Sequence, residues 1–213
     1  MADLSCGVWR GQNLAKRKHT FPAHLYLSTT KYEQTPFCAS LKGYHTAPGK
    51  IMVSTTDITH LRRCVELARE ALEAGDSPFG SLLVSADSTV LKEDRNRVVT
   101  GADITLHPEL MLVQWAQKNL SPTERAAATV YTSGEHCPMC ATAHAYAGLG
   151  RIVYASSSAQ LVAWRRELGV EPGPVVPLAI HQVAPGMVVD GPVAGVDLEV
   201  RELHLLKHFS AHK

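Results

Sequence analysis

No run of apolar residues in this chain approaches the length of about eighteen that a membrane-spanning helix needs. Cysteine is scarce as well, with five in 213 residues, and an odd number does not suit the disulfide framework of a small secreted domain. Internal repeats and low-complexity tracts are absent from the sequence. These absences favour a globular protein in a reducing compartment, and we expect it to be cytoplasmic.

Charge is distributed unevenly along the chain. The residues before Met52 include seven Lys or Arg and two Asp or Glu, whereas the remainder has fourteen basic and eighteen acidic residues. The first segment also lacks a sustained helical or alternating pattern, so we expect residues 1–51 to be a disordered or non-native extension of a domain that spans residues 52–213. Met52 is a candidate true start, because Ser54 begins a capping sequence for the first convincing helix, predicted over residues 58–74.

Predicted strands and helices alternate along this domain. Strands are predicted over residues 79–85, 89–92, 128–132 and 151–155. A helix between the last two strands implies a parallel crossover, and 45% hydrophobic residues supply a substantial core. The sequence therefore predicts an α/β fold, a three-layer α/β/α sandwich with a central mixed sheet.

Two short motifs carry the chemistry of a metal site. The sequence H-P-E at residues 107–109 is followed, about thirty residues later, by C-P-M-C at residues 137–140. Zinc takes neutral imidazole and thiolate ligands in a tetrahedron, and a catalytic site keeps its fourth position open for a water whose pKa the ion lowers. The expected Zn²⁺ ligands are His107, Cys137 and Cys140. Glu109 is expected to stay off the metal and to shuttle protons.

Each motif lies where a helix is predicted to begin. Apolar residues recur at helical intervals after Pro108, which suits a first turn, and the alanine-rich helix after Cys137 ends near Gly148 or Gly150. Two helix N-termini then point at one site, where their positive dipole ends favour thiolate over thiol. The backbone amide of Cys137 is expected to stabilise an alkoxide that forms on the attacked carbon.

These motifs have other interpretations. An isolated C-x-x-C is more often a redox pair or half of a structural zinc site, and an isolated H-x-E arises by chance. No second C-x-x-C is present to complete a four-cysteine site. His136 or His144 in the fourth position would instead make the domain a non-catalytic zinc-containing binding module.

Further segments carry a resemblance to a known family. A P-F-G sequence lies in Ser77–Val84, Asn96 follows the next predicted strand, and residues 131–135 lead into the cysteine motif. Together with the metal motifs, they make residues 58–154 resemble the cytidine-deaminase-like superfamily, in the branch of guanine deaminases, tRNA adenosine deaminases and nucleoside deaminases.

The resemblance implies a zinc-dependent hydrolytic deaminase that releases ammonia from a nucleobase or nucleoside. A purine such as guanine, guanosine or adenine is favoured, with cytosine or cytidine as the other option. It also implies a homodimer and a small-molecule substrate contacted by Asn96 and Phe79. A tRNA adenosine deaminase is the main alternative, but the acidic balance after Met52 does not favour a nucleic-acid partner.

Three positions depart from the family pattern. Pro108 stands where the family usually has alanine or valine, and it is compatible with a helix start. His136 replaces the usual proline before the first cysteine, and its open roles are to contact the substrate, to hydrogen-bond a ligand thiolate or to cap the loop. Residues 155–160 offer no acidic side chain where guanine deaminases tend to carry one, which weakens guanine as the specific substrate.

Aromatic residues and histidines elsewhere have less specific interpretations. Trp115 and Trp164 lie at apolar positions of predicted helices and are assigned to the core. His204 and His208 lie four residues apart on a final helix and have no obvious third ligand, so they are assigned to the solvated surface.

Overall fold

The computed structural model describes residues 53–210. The predicted extension over residues 1–51 and the proposed start at Met52 lie outside the described residues. Within the described part, no helix is long and apolar enough to cross a membrane.

Helices and strands alternate along the described chain, as the sequence predicts. In order they are α1 (Thr55–Glu73), β1 (Gly80–Val84), β2 (Val90–Arg95), α2 (Pro108–Asn119), α3 (Pro122–Ala127), β3 (Thr129–Gly134), α4 (Pro138–Ala147), β4 (Arg151–Ser156), α5 (Ser158–Glu167), α6 (Ile180–Val183), β5 (Val189–Asp190) and α7 (Val196–Ser210).

The strands form one mixed sheet in the order β2-β1-β3-β4-β5. Strand β1 pairs antiparallel with both β2 and β3, whereas β3 and β4 pair parallel, as do β4 and β5. The parallel crossover predicted between β3 and β4 is confirmed, because α4 connects these two neighbours. The predicted α/β class with a central mixed sheet is likewise confirmed.

Helices cover the sheet on both faces. Leu82 and Leu83 are adjacent and wholly buried, yet Leu82 packs with residues of α1 and α7 and Leu83 packs with residues of α2 and α4. Side chains of a strand alternate between the two faces of the sheet, so these two leucines mark two separate cores. Trp164 is buried in the first core, as predicted, and Trp115 packs only partly buried against the second.

The first helix begins earlier than its apolar pattern indicates. Ser54 is its N-cap, and a capping box joins the Ser54 side chain to the amide of Asp57, and the Asp57 carboxylate to the amide of Ser54. The predicted start at residue 58 is therefore wrong by three residues, because the cap fixes the helix from Thr55 onward.

Two other elements differ from the prediction. Strand β2 extends to Arg95 instead of ending at residue 92. Its last three residues are charged, so the sequence there lacks the apolar pattern that predicts a buried strand. Helix α3 is not predicted by the sequence pattern. It is a six-residue helix without buried residues that rests on a capping box between Ser121 and Glu124.

A buried carboxylate joins the first helix to the middle of the sheet. Asp57 accepts hydrogen bonds from the hydroxyl of Tyr131 at 2.7 Å and from Nη1 of Arg151 at 2.8 Å. Burial alone would raise the pKa of Asp57, but the hydrogen bonds from Ser54, Tyr131 and Arg151 outweigh it and lower the pKa to about 2. The negative charge of Asp57 is therefore stabilised by folding.

We predict that Asp57→Asn lowers the free energy of unfolding at pH 7 by about 2 kcal/mol, because Arg151 loses one of its two carboxylate partners and keeps only Asp190. The folded pKa of about 2 lies below the ordinary value of 3.8, so this carboxylate stabilises the fold above about pH 4. That contribution is lost as the pH falls toward 2, and the variant should lack this part of the acid dependence.

Urea unfolding between pH 2 and pH 7 measures both effects. Glu73→Gln, an exposed change on the same helix, is the matched control. Equal stability of Asp57→Asn and the control at pH 7 would show that the buried network contributes nothing.

Candidate active site

Two of the expected metal ligands are the N-cap residues of their helices. His107 precedes α2 and Cys137 precedes α4, and both have extended backbone conformations. Each is followed by a proline at the first helical position, where the missing amide costs no hydrogen bond. Cys140 lies on the first turn of α4, wholly buried, so both helix starts face one point.

The three expected ligands are close enough to share one ion. Nδ1 of His107 lies 3.8 Å from Sγ of Cys137 and 3.7 Å from Sγ of Cys140. A tetrahedral zinc ion with bonds of about 2.0 Å to nitrogen and about 2.3 Å to sulfur holds those atoms about 3.5 Å apart. The donor set and its spacing therefore fit zinc. Among the described residues this is the group of His, Cys, Asp and Glu side chains compact enough to hold a metal ion.

Glu109 lies beside this group without belonging to it. Its carboxylate is buried, and Oε1 accepts a hydrogen bond from the hydroxyl of Thr132 at 3.0 Å, with Ser81 Oγ at 3.4 Å. Ser81 and Thr132 face each other across β1 and β3 in the register of the sheet. The sheet thus holds the carboxylate next to the ligands through two hydroxyl groups.

The Thr132 hydroxyl has alternative acceptors. Its oxygen lies 3.0 Å from both Oε1 of Glu109 and the carbonyl of Gly134, and it accepts a hydrogen bond from Ser81 at 2.9 Å. One hydroxyl proton serves one acceptor at a time. When Glu109 is ionised, Thr132 donates to it; when Glu109 is protonated, Thr132 can accept from it and donate to Gly134. Thr132 can therefore form a hydrogen bond with Glu109 in both protonation states of this carboxyl group.

Hydrogen bonds within the ligand group shift the pKa values of its members. Hydrogen bonds from Cys140 and His107 lower the pKa of the Cys137 thiol to about 4, while the bond to this thiolate raises the pKa of Cys140. The hydrogen bond with Cys137 raises the pKa of His107, and burial raises that of Glu109. A bound cation would favour thiolate at both sulfurs.

The backbone amide of Cys137 is available to a ligand. Pro138 has no amide proton, and no acceptor in the described part of the chain is hydrogen-bonded to the N–H of Cys137. This donor lies at the N-terminus of α4, directly beside the metal ligands. Its position agrees with the predicted stabilisation of a developing oxyanion.

Asn96 and Phe79 lie next to each other at the same end of the sheet. The amide of Asn96 donates to the carbonyl of Phe79 at 2.9 Å, and Oδ1 of Asn96 accepts from the amide of Val98 at 3.1 Å. This leaves the Nδ2 donors of Asn96 for a ligand. The Phe79 ring covers Gly134, where a Cβ atom would lie 3.0 Å from the ring, so Phe79 lies at the end of β3 from which the cysteine motif begins.

A buried carboxylate anchors the loop that carries Asn96. Asp76 has no exposed surface and accepts from the amide of Val99 at 2.8 Å, from the amide and hydroxyl of Thr100 at 3.0 and 2.7 Å, and from Arg95 at 3.0 Å. The loop is therefore tied to the end of α1. The role of Asp76 was not predicted from the sequence; the position of this residue directly after a helix-ending glycine was the available signal.

His136 and His144 form a buried pair that lies outside the ligand group. Their rings meet edge to face at 5.3 Å, and Nε2 of His144 is hydrogen-bonded to the carbonyl of Gly150 at 3.0 Å. Neither ring nitrogen of His136 has a hydrogen-bond partner among the described residues, and burial lowers the pKa of this imidazole. The predicted substrate contact of His136 stays a prediction, and complete burial does not support it.

One histidine assigned to the surface lies elsewhere. His204 of α7 is mostly buried, with its ring 5.1 Å from Phe79 and 6.2 Å from Trp164. Burial lowers its pKa to about 3, so the imidazole is neutral. The assignment of His204 to the solvated surface was therefore wrong, because α7 reaches the loop that begins β1.

A family model and several known proteins match this chain. The model of the MafB19-like deaminase family matches residues 56–173 of the chain. The chain belongs to the MafB19-like deaminase family. The match includes both metal motifs, Glu109 and Asn96, so these residues lie within the family domain.

Curated relatives of this family member act on different bases. A probable cytosine deaminase of Schizosaccharomyces pombe is 31% identical over 55% of the chain and 70% of its own length. A guanine deaminase of Bacillus subtilis is 37% identical over 46% of the chain and 63% of its own length. A tRNA-specific adenosine deaminase of Haemophilus influenzae is 30% identical over 49% of the chain and 60% of its own length. The chain thus spans 60 to 70% of these relatives.

Solved structures share the fold. A guanine deaminase from Nitrosomonas europaea superimposes with a TM-score of 0.57 at 19% identity, over 82% of this chain and 93% of that one. A further structure, in complex with 8-azaguanine, gives a TM-score of 0.60 at 21% identity, over 74% of this chain and 86% of that one. At such low identity, these similarities support the cytidine-deaminase-like fold alone.

We predict that Cys137→Ser and Cys140→Ser each reduce zinc content well below one ion per chain, because a thiolate ligand is lost. Elemental analysis after dialysis against zinc measures the bound metal. Cys64→Ala, which removes a buried cysteine outside the ligand group, should retain the full zinc content. Full zinc content in both serine variants would place the metal elsewhere.

Proposed function

We propose that this family member is a zinc-dependent hydrolytic deaminase of a nucleobase or nucleoside, which replaces an exocyclic amine by oxygen and releases ammonia. A purine base is favoured, and cytosine or cytidine is the alternative. The observation that carries the proposal is Glu109, a buried carboxylate held beside three metal-type ligands and outside the group they form. A purely structural zinc site has no use for such a group.

His107, Cys137 and Cys140 would hold the metal, with one coordination position left for water or substrate. A zinc ion bound there supplies a Lewis acid that makes hydroxide available near neutral pH. His136 and His144 do not belong to the ligand group, which argues against a closed structural site. The non-catalytic module is for this reason the weaker proposal.

Glu109 moves the protons of the reaction. It would take one proton from the attacking water and deliver it to the ring nitrogen of the base, and would then take the second proton from the hydroxyl group of the tetrahedral adduct and give it to the leaving amine. Burial raises the pKa of Glu109, which favours a group that alternates between its two protonation states. The Thr132 hydroxyl keeps the carboxyl group in place in both states.

Backbone and side-chain donors orient the substrate. The free amide of Cys137 would stabilise negative charge on the oxygen that forms at the attacked carbon. The Nδ2 donors of Asn96 would hold an acceptor on the base or ribose, and the ring of Phe79 would pack against the base.

The loop after β4 offers no free acidic group for the base. Ser156 is hydrogen-bonded to the carbonyl of Ser133, and Ser157 caps α5. The carboxylate of Glu135 lies next to this loop, but it already accepts from the amides of Ser158 at 2.8 Å and Ile180 at 2.9 Å. Guanine is therefore not favoured over other purines by any acidic side chain at this point.

Three expectations from the sequence stay predictions. The acidic balance of residues 52–213 does not favour tRNA as the substrate, although one relative is a tRNA-specific deaminase. The homodimer and the cytoplasmic location follow from the family resemblance and the composition.

We predict that Glu109→Gln retains zinc and lowers kcat by about a thousandfold or more, because proton transfer contributes roughly a hundredfold to ten-thousandfold to such reactions. Ammonia release from a panel of adenine, guanine, cytosine and their nucleosides measures turnover. Glu202→Gln, an exposed change on α7, is the control. Turnover by the zinc-loaded Glu109→Gln variant at the wild-type rate would refute the role of this carboxylate.

We further predict that Asn96→Ala raises KM about tenfold or more for the preferred substrate while zinc content stays at one per chain, because one or two substrate hydrogen bonds are lost. Steady-state kinetics and elemental analysis together separate the two properties. An unchanged KM would remove Asn96 from the substrate site.

A further inference from the structure

The loop between β3 and α4 carries a carboxylate that joins this loop to two helices. Oε2 of Glu135 accepts a hydrogen bond from the amide of Ser158 at 2.8 Å, and Oε1 accepts one from the amide of Ile180 at 2.9 Å. Ser158 and Ile180 are the first residues of α5 and α6. Their amides have no acceptor within their own helices, because the first turn of a helix leaves its N–H groups unpaired. Each oxygen of Glu135 therefore holds the start of one helix.

Glu135 is also fixed through its own backbone. Its amide donates to the carbonyl of Ser156 at 2.8 Å, at the end of β4. In the part of the chain that the structure describes, no basic side chain is paired with the Glu135 carboxylate, so backbone amides determine its direction. Hydrogen bonds to a carboxylate are charge-assisted and stronger than those to a neutral acceptor. The loop is thus attached to β4, α5 and α6 through one residue.

These attachments enclose the cysteine motif. Glu135 lies two residues before Cys137. On the other side of the motif, Ala141 directly follows Cys140 and belongs to the same buried cluster as Ile180. Helix α6 packs on α4 there. The motif is therefore held at both ends by contacts with α6.

The residue between Glu135 and Cys137 provides no hydrogen-bonded side chain. Neither ring nitrogen of His136 has a partner among the described residues. The side-chain hydrogen bonds nearest before Cys137 are therefore those of Glu135. Because only two planar peptide units separate Glu135 from Cys137, a shift of Glu135 would move both the thiolate and the backbone amide of this cysteine.

We infer that Glu135 is a positioning residue of the metal site. By holding the starts of α5 and α6, its carboxylate fixes the loop before α4, and with it the thiolate and the amide of Cys137. This role rests on the proposed deaminase function, and Glu135 itself lies outside the ligand group. Loss of a group that supports a metal ligand from outside typically costs about tenfold to a hundredfold in metal affinity or activity.

Two substitutions break these hydrogen bonds from opposite sides. Glu135→Gln leaves one carbonyl oxygen for two amides and turns an N–H₂ donor toward the other amide. Ser158→Pro removes the donating amide at the first position of α5, where proline is tolerated, and the extended backbone of Ser157 suits a following proline.

The chain offers a matched control for each substitution. Glu124→Gln changes a carboxylate that also accepts from a backbone amide at a helix start, that of Ser121 at 2.7 Å, but on α3. Thr55→Pro places proline at the exposed first position of α1. Neither residue contacts the loop before α4.

Cobalt(II) in place of zinc makes the site visible, because its d–d and thiolate charge-transfer absorption bands depend on the ligand geometry. In the full chain saturated with cobalt, Glu135→Gln and Ser158→Pro should shift or weaken these bands, and transfer of zinc to a chelator should be about tenfold faster. With zinc bound, kcat should fall about tenfold or more while KM stays within about twofold, since the Cys137 amide acts on charge that develops in the transition state. Both controls should match the wild type in all three measurements.

Wild-type spectra, zinc transfer and kcat in Glu135→Gln and Ser158→Pro would overturn the inference and leave Glu135 as a tether of α5 and α6 alone. Urea unfolding identifies any variant that does not fold. If Glu135→Gln is such a variant, Ser158→Pro decides by the same measurements.

The cobalt spectrum separates the positioning role from the deaminase function. If the wild type deaminates no base or nucleoside, while Glu135→Gln and Ser158→Pro change the spectrum and the controls do not, then the deaminase proposal fails and the positioning role stands. If the wild type deaminates a compound and all four variants match its spectrum and kcat, then the positioning role fails and the deaminase proposal stands.

Discussion

The candidate metal site depends on the points at which two helices begin. His107 and Cys137 are N-cap residues, so the extended backbone at each cap aims the ligand away from its own helix and toward the other. Pro108 and Pro138 fix the next position and allow only one start for each helix. The two helix ends also bring their partial positive charges to one place, where they stabilise a thiolate before any ion binds. Ligand geometry and ligand ionisation therefore have a common origin in the helix caps.

The proposed proton carrier depends in the same way on the register of the sheet. Ser81 and Thr132 are paired across β1 and β3, and both side chains point to the face that carries α2. A register slip of one residue would turn one of the two hydroxyls to the opposite face. Glu109 would then lose part of its support while still buried, which is costly for a carboxylate. The hydrogen bonds to Glu109 therefore require the native pairing of β1 with β3.

The sequence predicted those parts of the site that depend on residues close together along the chain. Ligand spacing, the helix starts at Pro108 and Pro138, and the crossover around α4 all follow from neighbouring residues. The partners of Glu109 were missed, since they come from cross-strand pairing, although a serine and a threonine in otherwise apolar strands were the signal. The contact of Glu135 with Ile180 joins residues 45 positions apart, and no local pattern predicts it. His136 had three open roles, and its burial against His144 could not be read from an isolated motif.

The tether at Asp76 separates two properties of the protein. The candidate metal ligands lie where α2 and α4 begin, whereas the position of Asn96 is set by a carboxylate at the far end of α1. A substitution in residues 97–102 can therefore move the side-chain amide of Asn96 without disturbing the ligands. Among relatives named for different bases, such a loop would offer a route by which substrate preference changes while the candidate ligands keep their positions.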